Sequence, residues 1–196
     1  MLDAAEAVFT KKGFGAASME EIAEEAGFSR AGLYARFGNK EDLLAAVLDR
    51  HSSRQAQAFS DMETPSDPVK GALDAAEIFQ RTATLELVPL ELELRLNAFR
   101  NPVLRQRVIE TDRRVAHEMA RLIEQNIAAA GQRLPLPAED LADIGRAAVL
   151  GFMIYAALDE HQADRYQRLI QTVFRLLAEP STRPNRTGPP KPGNRR

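Results

Sequence analysis

Apolar residues recur along this chain at helical rather than strand spacing. Leu2, Ala5, Val8 and Phe9 fall on one stripe, and Gly13 follows as the C-cap of a first helix. Ser18-Met19-Glu20-Glu21 reads as a capping box, in which the Ser18 hydroxyl accepts from the Glu21 amide while Glu21 reaches back. The short helix that opens at Met19 is expected to end at Ala26, with Gly27 in the turn. Ser29 caps a second short helix that runs to about Phe37. Gly38-Asn39 breaks it, and Asn39 caps a long helix from Lys40 to about Phe59. Asp67 and Pro68 close a loop and start the next helix, with proline at the first helical position. Leu85 to Leu96 fits both an alternating strand and a helical stripe of Leu85, Val88, Leu92, Leu96 and Phe99. A lone strand would have no partner, so helix is chosen. Asn101-Pro102 starts a long helix that runs to Ala130 and stops at Gly131. Ala138 to Leu158 is apolar nearly all round in its second half and should be buried on more than one side. Tyr166, Leu169, Ile170, Val173, Phe174 and Leu177 form the face of a last helix. From Pro180 onward, five prolines and two glycines predict a disordered tail. The expected fold is all-α with about nine helices. Its divisions are an N-terminal helix-turn-helix unit of three helices over 1–47, a helical bundle over 48–179 and the tail over 180–196.

Composition narrows the classes. With 196 residues and a formal net charge of −2, the chain has the length of one compact protein or of two small domains sharing a core. Its longest apolar run, Ala147 to Leu158, is 12 residues, short of the roughly 18–20 that span a bilayer. Met1-Leu2-Asp3 does not open a secretory signal. The absence of cysteine rules out disulfides, zinc–thiolate sites and thiol catalysis. A soluble cytoplasmic protein with no membrane partner is therefore expected. The charge is uneven, because residues 180–196 hold Arg183, Arg186, Lys191, Arg195 and Arg196 and no acid. The tail could thus attract DNA non-specifically. Residues 1–50 carry six basic and nine acidic side chains, so any nucleic-acid contact must rest on where particular residues sit.

The informative stretch is Ser18 to Phe37. Two short helices joined by a brief glycine-containing turn make a helix-turn-helix. Ala23 is small where the helices cross, and Ile22, Ala26, Phe28 and Leu33 are expected to supply the small core. The second helix would enter the major groove with its N-terminal residues nearest the bases. Arg30 could pair with guanine O6 and N7, and Arg36 and Lys40 could neutralise phosphates. Glu20, Glu21, Glu24 and Glu25 lie on the first helix of the motif and are expected to point away from DNA.

The run from Ser18 to Leu44, above all Ser29-x-x-x-Leu33-Tyr34-x-x-Phe37-x-x-Lys40, resembles the DNA-binding domain of TetR-family transcriptional regulators. Residues 2–14 resemble that family's first helix. The motif likeness covers roughly residues 2–47, and residues 86–158 bear a fainter likeness to the family's regulatory domains. The resemblance implies that Ser29, Arg30, Ala31, Gly32, Tyr34 and Ala35 lie on the recognition helix. It implies phosphate contacts from Tyr34, Lys40 and Ser18. Two departures stand out. The Ala31-Gly32 order places glycine inside a short helix, at roughly 1 kcal/mol against alanine. The family's basic arm does not stand before Leu2 in this sequence; either it lies outside the sequence, or DNA binding lacks part of its non-specific, salt-sensitive contribution.

The resemblance further implies a homodimer built on the last two long helices and a ligand pocket in the bundle. The apolar surplus of Val149–Leu158 and Val173–Leu177 supports the dimer independently. Candidate pocket residues are Phe79, Leu92, Leu96, Phe99, His117, Met119, Met153 and Tyr155. Glu91 or Glu93, if turned inward, would favour a cationic ligand. The partners expected are a palindromic double-stranded DNA operator and a small, largely apolar effector that relieves repression. That effector would tilt the helix beginning at Lys40. No cofactor is expected. An enzyme is disfavoured, because His51, His117 and His161 fit no metal-ligand spacing and neither a phosphate loop nor a nucleophile elbow is present. Asp159, Glu160, His161 and Asp164 read as a hydrophilic helix end rather than a metal site. The competing reading is a helical ligand-binding dimer with weak or lost DNA binding.

Overall fold

The computed structural model describes residues 1–63, 67–82, 84–134 and 136–178. The expected loop at 64–66 and the basic tail lie outside the described residues. Among the described residues the chain forms nine α-helices and no strand. They are α1 (Leu2–Ala16), α2 (Met19–Glu25), α3 (Arg30–Phe37), α4 (Lys40–Ser60), α5 (Pro68–Thr82), α6 (Val88–Ala98), α7 (Pro102–Ala129), α8 (Ala138–Leu158) and α9 (Ala163–Ala178).

The boundaries follow local chemistry. Ser18 and Glu21 complete the capping box in both directions. Ser29 accepts from the Gly32 amide at 3.1 Å, and Asn39 from the Asp42 amide at 2.7 Å. Asn101 accepts from Val103 and Leu104 ahead of Pro102. Gly13 sits at φ 77°, so the regular part of α1 ends where the C-cap was expected, and one further turn follows it. The ambiguous stretch resolves as a 3₁₀ turn, Leu85–Leu87, running into α6.

Two apolar cores result. The first joins Phe9, Ile22, Leu33, Leu44 and Val47 of the N-terminal helices to Leu90, Leu94 and Ala98 of α6 and Leu104 of α7. The core of the N-terminal unit therefore reaches well past residue 47. Phe28 is not part of it: the ring is 52% exposed, because the α2–α3 turn carries it outward. The second core holds Phe59, Phe79, Val115, Met119, Leu122, Ile170 and Phe174. Phe79 meets Phe59 and Phe174 edge-on, at centroid separations of 5.1 and 5.7 Å.

α4 is pinned to both halves. Arg50 pairs with Asp3 and Glu6 of α1, and His51 also meets Glu6, at 2.9 Å. Asp49 accepts from Thr111 at 2.8 Å and from Arg114 at 2.6 Å on α7. Burial pushes the Glu6 and Asp49 carboxyls up, but these partners outweigh it and hold both below their ordinary values.

α8 packs between α7 and α9 and has the length and composition of a membrane-crossing helix, yet only 28% of its most apolar window is buried. The expectation of burial on several sides is thus not met within one chain. Ile144, Tyr155 and Leu158 are exposed, and a Cβ built on Gly151 meets nothing within 4 Å.

Asn126 of α7 is 95% buried beside an apolar cavity of about 50 Å³, and its Oδ1 has no hydrogen-bond partner. Such an atom carries a desolvation penalty of about 1–3 kcal/mol. Asn126→Leu is therefore expected to raise Tm by about 2–4 °C for each kcal/mol recovered. A thermal melt showing a lower Tm would contradict that reading.

Candidate nucleic-acid interface and effector cavity

α2 and α3 are joined by four residues. The Phe28 amide donates to the Ala23 carbonyl at 2.9 Å and the Gly27 amide to Glu24 at 3.1 Å. Gly27 takes φ 66°, a conformation costly for a residue with a Cβ. This closure lets Ala23 and Leu33 bury between the helices while α3 projects. Of α3, Leu33 is buried and Phe37 half-buried, and Arg30, Ala31, Gly32, Tyr34, Ala35 and Arg36 are all exposed. An eight-residue helix held by two apolar anchors presents the rest of its surface outward, as a major-groove reader must.

The charges on this surface are organised. Arg30 Nη2 lies 2.5 Å from Glu20 Oε1, and its guanidinium sits 5.6 Å from the Tyr34 ring centroid. Arg36 lies 5.8 Å over Phe37. Glu20 thus turns toward α3. The Ser18 and Ser29 hydroxyl oxygens already accept capping bonds, which leaves each hydroxyl hydrogen free to donate. Hydrogen bonds from Lys12 and from the Ser18 amide hold the Glu21 carboxyl below its ordinary value.

Lys40 is placed differently from expectation. Its ammonium donates to the carbonyls of Phe14 at 2.7 Å, Gly15 at 3.2 Å and Ala17 at 2.8 Å, and lies 4.6 Å over the Phe14 ring. All three donors are committed, so the side chain clamps the end of α1 instead of standing free for a phosphate. Sequence reasoning missed this role; a lysine opening a helix just after an asparagine cap gives no local sign of a distant carbonyl cluster.

In the bundle, a cavity of about 400 Å³ lies between α4, α5, α6, α7 and α8. Leu48, Phe79, Val115, Leu150 and Met153 give it an apolar wall; Glu91, Arg95, Asp112 and Arg146 give it a charged one. Arg95 bonds Asp112 at 2.9 and 3.0 Å and Glu91 at 2.7 Å, and Arg146 reaches Asp112 at 2.7 Å. Burial alone would lower the Arg95 pKa, but these carboxylates outweigh it and keep the guanidinium charged.

Of the eight expected pocket residues, Phe79 and Met153 line this cavity and Met119 lines the smaller apolar one. Leu92, Leu96, Phe99, His117 and Tyr155 line neither. Leu96 and Phe99 are 62% and 76% exposed, because the α6 stripe that turns inward is Leu90, Leu94 and Ala98. His117 is exposed on α7, and Tyr155 stacks on Tyr166 outside the bundle. Glu91 does face the cavity, but Arg95 neutralises it; Glu93 is exposed. Of the charged residues that sequence reasoning missed, Arg95 sits next to Leu96 on α6, and Asp112 and Arg146 lie on α7 and α8, where charge reads as surface.

Residues 1–47 match the family described as bacterial regulatory proteins, tetR family. A curated HTH-type transcriptional regulator from Bacillus subtilis, YvkB, is 28% identical over 168 residues, covering 84% of each chain. The fatty acid degradation regulator FadR from Bacillus halodurans superposes with a TM-score of 0.73 at 21% identity, over 90% of this chain and 95% of that one. A TetR-family regulator from Mesorhizobium loti superposes with a TM-score of 0.69 at 22% identity, over 90% and 92% of the two chains. The projecting α3, the match over the motif and the regulator relative along most of the chain agree: residues 1–47 are a DNA-binding domain of the tetR family of bacterial regulatory proteins, and the chain that carries it is a DNA-binding transcriptional regulator.

Proposed function

We propose that the protein is a cytoplasmic homodimeric repressor that leaves a palindromic operator when a small effector enters the central cavity. In this reading residues 1–47 contact DNA through α3, residues 48–179 bind effector and dimerise, and no catalysis is involved. The observation that carries it is the two-faced position of α6. Leu90 and Leu94 belong to the core of the DNA-binding unit, while Glu91 and Arg95 of the same helix line the cavity. An effector that repacks one face must move the other, and α4, tied to α1 and α7 by Arg50 and Asp49, carries the shift to α3. The charged wall amends the expected chemistry of the effector: an apolar body with a polar group suits this cavity better than a wholly apolar molecule.

Dimerisation is assigned to the uncovered stripe of α8, Ile144, Gly151, Tyr155 and Leu158, and Leu176 of α9 is a further exposed apolar residue. Two such faces would bury each other.

Selection of bound duplexes from a random pool tests the reading. The expected result is an enriched palindrome whose half-sites lie about one helical turn, or a multiple of it, apart. A folded dimer that enriches nothing at low salt would sink it and leave the ligand-binding dimer.

A further inference from the structure

α3 offers few groups that can read a base. Ala31, Gly32 and Ala35 have no side-chain donor or acceptor, and Ser29, whose oxygen accepts from the Gly32 amide, keeps a single hydroxyl hydrogen to donate on a short side chain. Arg30, at the N-terminal end of the helix, is the side chain with the reach and donor geometry to pair with a guanine edge. It is also held from two sides. Glu20 contacts Nη2 across the α2–α3 turn, and the Tyr34 ring lies beneath the guanidinium. Glu20 stands in the first turn of α2, where the positive end of the helix dipole favours a carboxylate.

We propose that Glu20 is a positioning residue that makes Arg30 a guanine reader. The inference rests on the reading of α3 as the DNA-contacting helix. A guanidinium carries five N–H donors, and one contact at Nη2 leaves enough for a bidentate pair with O6 and N7. The glutamate has a second consequence. On non-specific DNA an unrestrained arginine swings to the nearest phosphate, which raises affinity without adding information. Glu20 competes with phosphate for the same guanidinium and repels the backbone itself. Arg30 is therefore most useful where a guanine lies directly in front of it. Each half-site is accordingly read by one guanine, with thymine methyls packed on Ala31 and Ala35.

The test uses the full chain and the duplex that it enriches from a random pool. Arg30→Ala is expected to lose roughly tenfold to a hundredfold in affinity and to drop one guanine from each half-site. Glu20→Gln is expected to melt at the wild-type temperature. Its affinity for random-sequence duplex should rise severalfold, its salt slope should steepen by about one for each protomer, and its preference for that guanine should fall at least threefold. In the Arg30→Ala background the same Glu20→Gln change should leave base preference unaltered. If Glu20→Gln keeps the guanine preference in the wild-type background, positioning is overturned, even if non-specific affinity rises. A wild-type chain that enriches no sequence overturns this inference together with the DNA-binding reading. A wild-type motif unchanged in Glu20→Gln overturns this inference alone.

Discussion

Gly151→Arg is expected to yield a folded protomer that no longer dimerises and binds a two-fold operator at least on the order of 10²-fold more weakly, since one half-site supplies only part of a specific interface. The argument starts from a helix that carries glycine at two interior positions, each at about 1 kcal/mol against alanine. Gly145 has an intrachain reason: a Cβ there would meet Phe174 at 3.4 Å and Met119 at 3.5 Å. Gly151 has none, since a Cβ there would enter open space. It lies on the same uncovered stripe as Ile144, Tyr155 and Leu158. A glycine unused by its own chain, amid exposed apolar residues, fits the close approach of a second helix. Arginine would push that helix away and bury an unpaired charge. Sedimentation velocity at micromolar concentration, a thermal melt and an operator gel shift together check the result. A dimer that survives in the variant would move the interface elsewhere.

That face shows what the sequence could and could not reveal. The apolar surplus of Val149–Leu158 is visible in the sequence, and with it the expectation that a second chain covers it. Which residues remain uncovered depends on how α7 and α9 seat against α8, and that is a tertiary fact. The same division runs through the DNA-binding unit. Caps at Ser18, Ser29, Asn39 and Asn101 are local, and the helix starts could be read from them directly. Phe28 is large and apolar and so reads as core, yet the geometry of the turn after Gly27 decides its exposure. Leu96 and Phe99 failed as pocket residues for a related reason. α6 has apolar residues on both candidate faces, with Leu90 and Leu94 on one and Leu92 and Leu96 on the other, so periodicity could not choose the inward face. What chose it was the first core, most of whose residues belong to the N-terminal helices far away in sequence. The charged wall of the cavity is the hardest part to read from a sequence. Glu91 and Arg95 pair within α6, but Asp112 and Arg146 join them only after three helices meet.

Lys40→Met should destabilise the DNA-binding unit before any DNA is present. The substitution keeps an apolar stem and removes the ammonium, so the carbonyls of Phe14, Gly15 and Ala17 lose a shared charged donor. Hydrogen bonds to charged groups contribute about 1.5–3 kcal/mol each when well buried. Here one of the three is exposed and water can replace it, so a total loss of about 2–4 kcal/mol is expected. Those carbonyls belong to the last turn after the Gly13 kink, where the helix end carries partial negative charge that a cation offsets. Without the clamp, Phe14 loses its cation and α1 loses its tie to the start of α4. α3 is supported by the same core through Leu33, so its presentation should loosen as well. The alternative role, a phosphate contact, predicts something else: unchanged stability of the free protein and a salt slope shallower by about one for each protomer. Amide exchange across residues 2–47 in the free protein separates the two. Faster exchange at α1 and a lower Tm support the clamp, and wild-type protection with a shallower salt slope would return Lys40 to the DNA backbone.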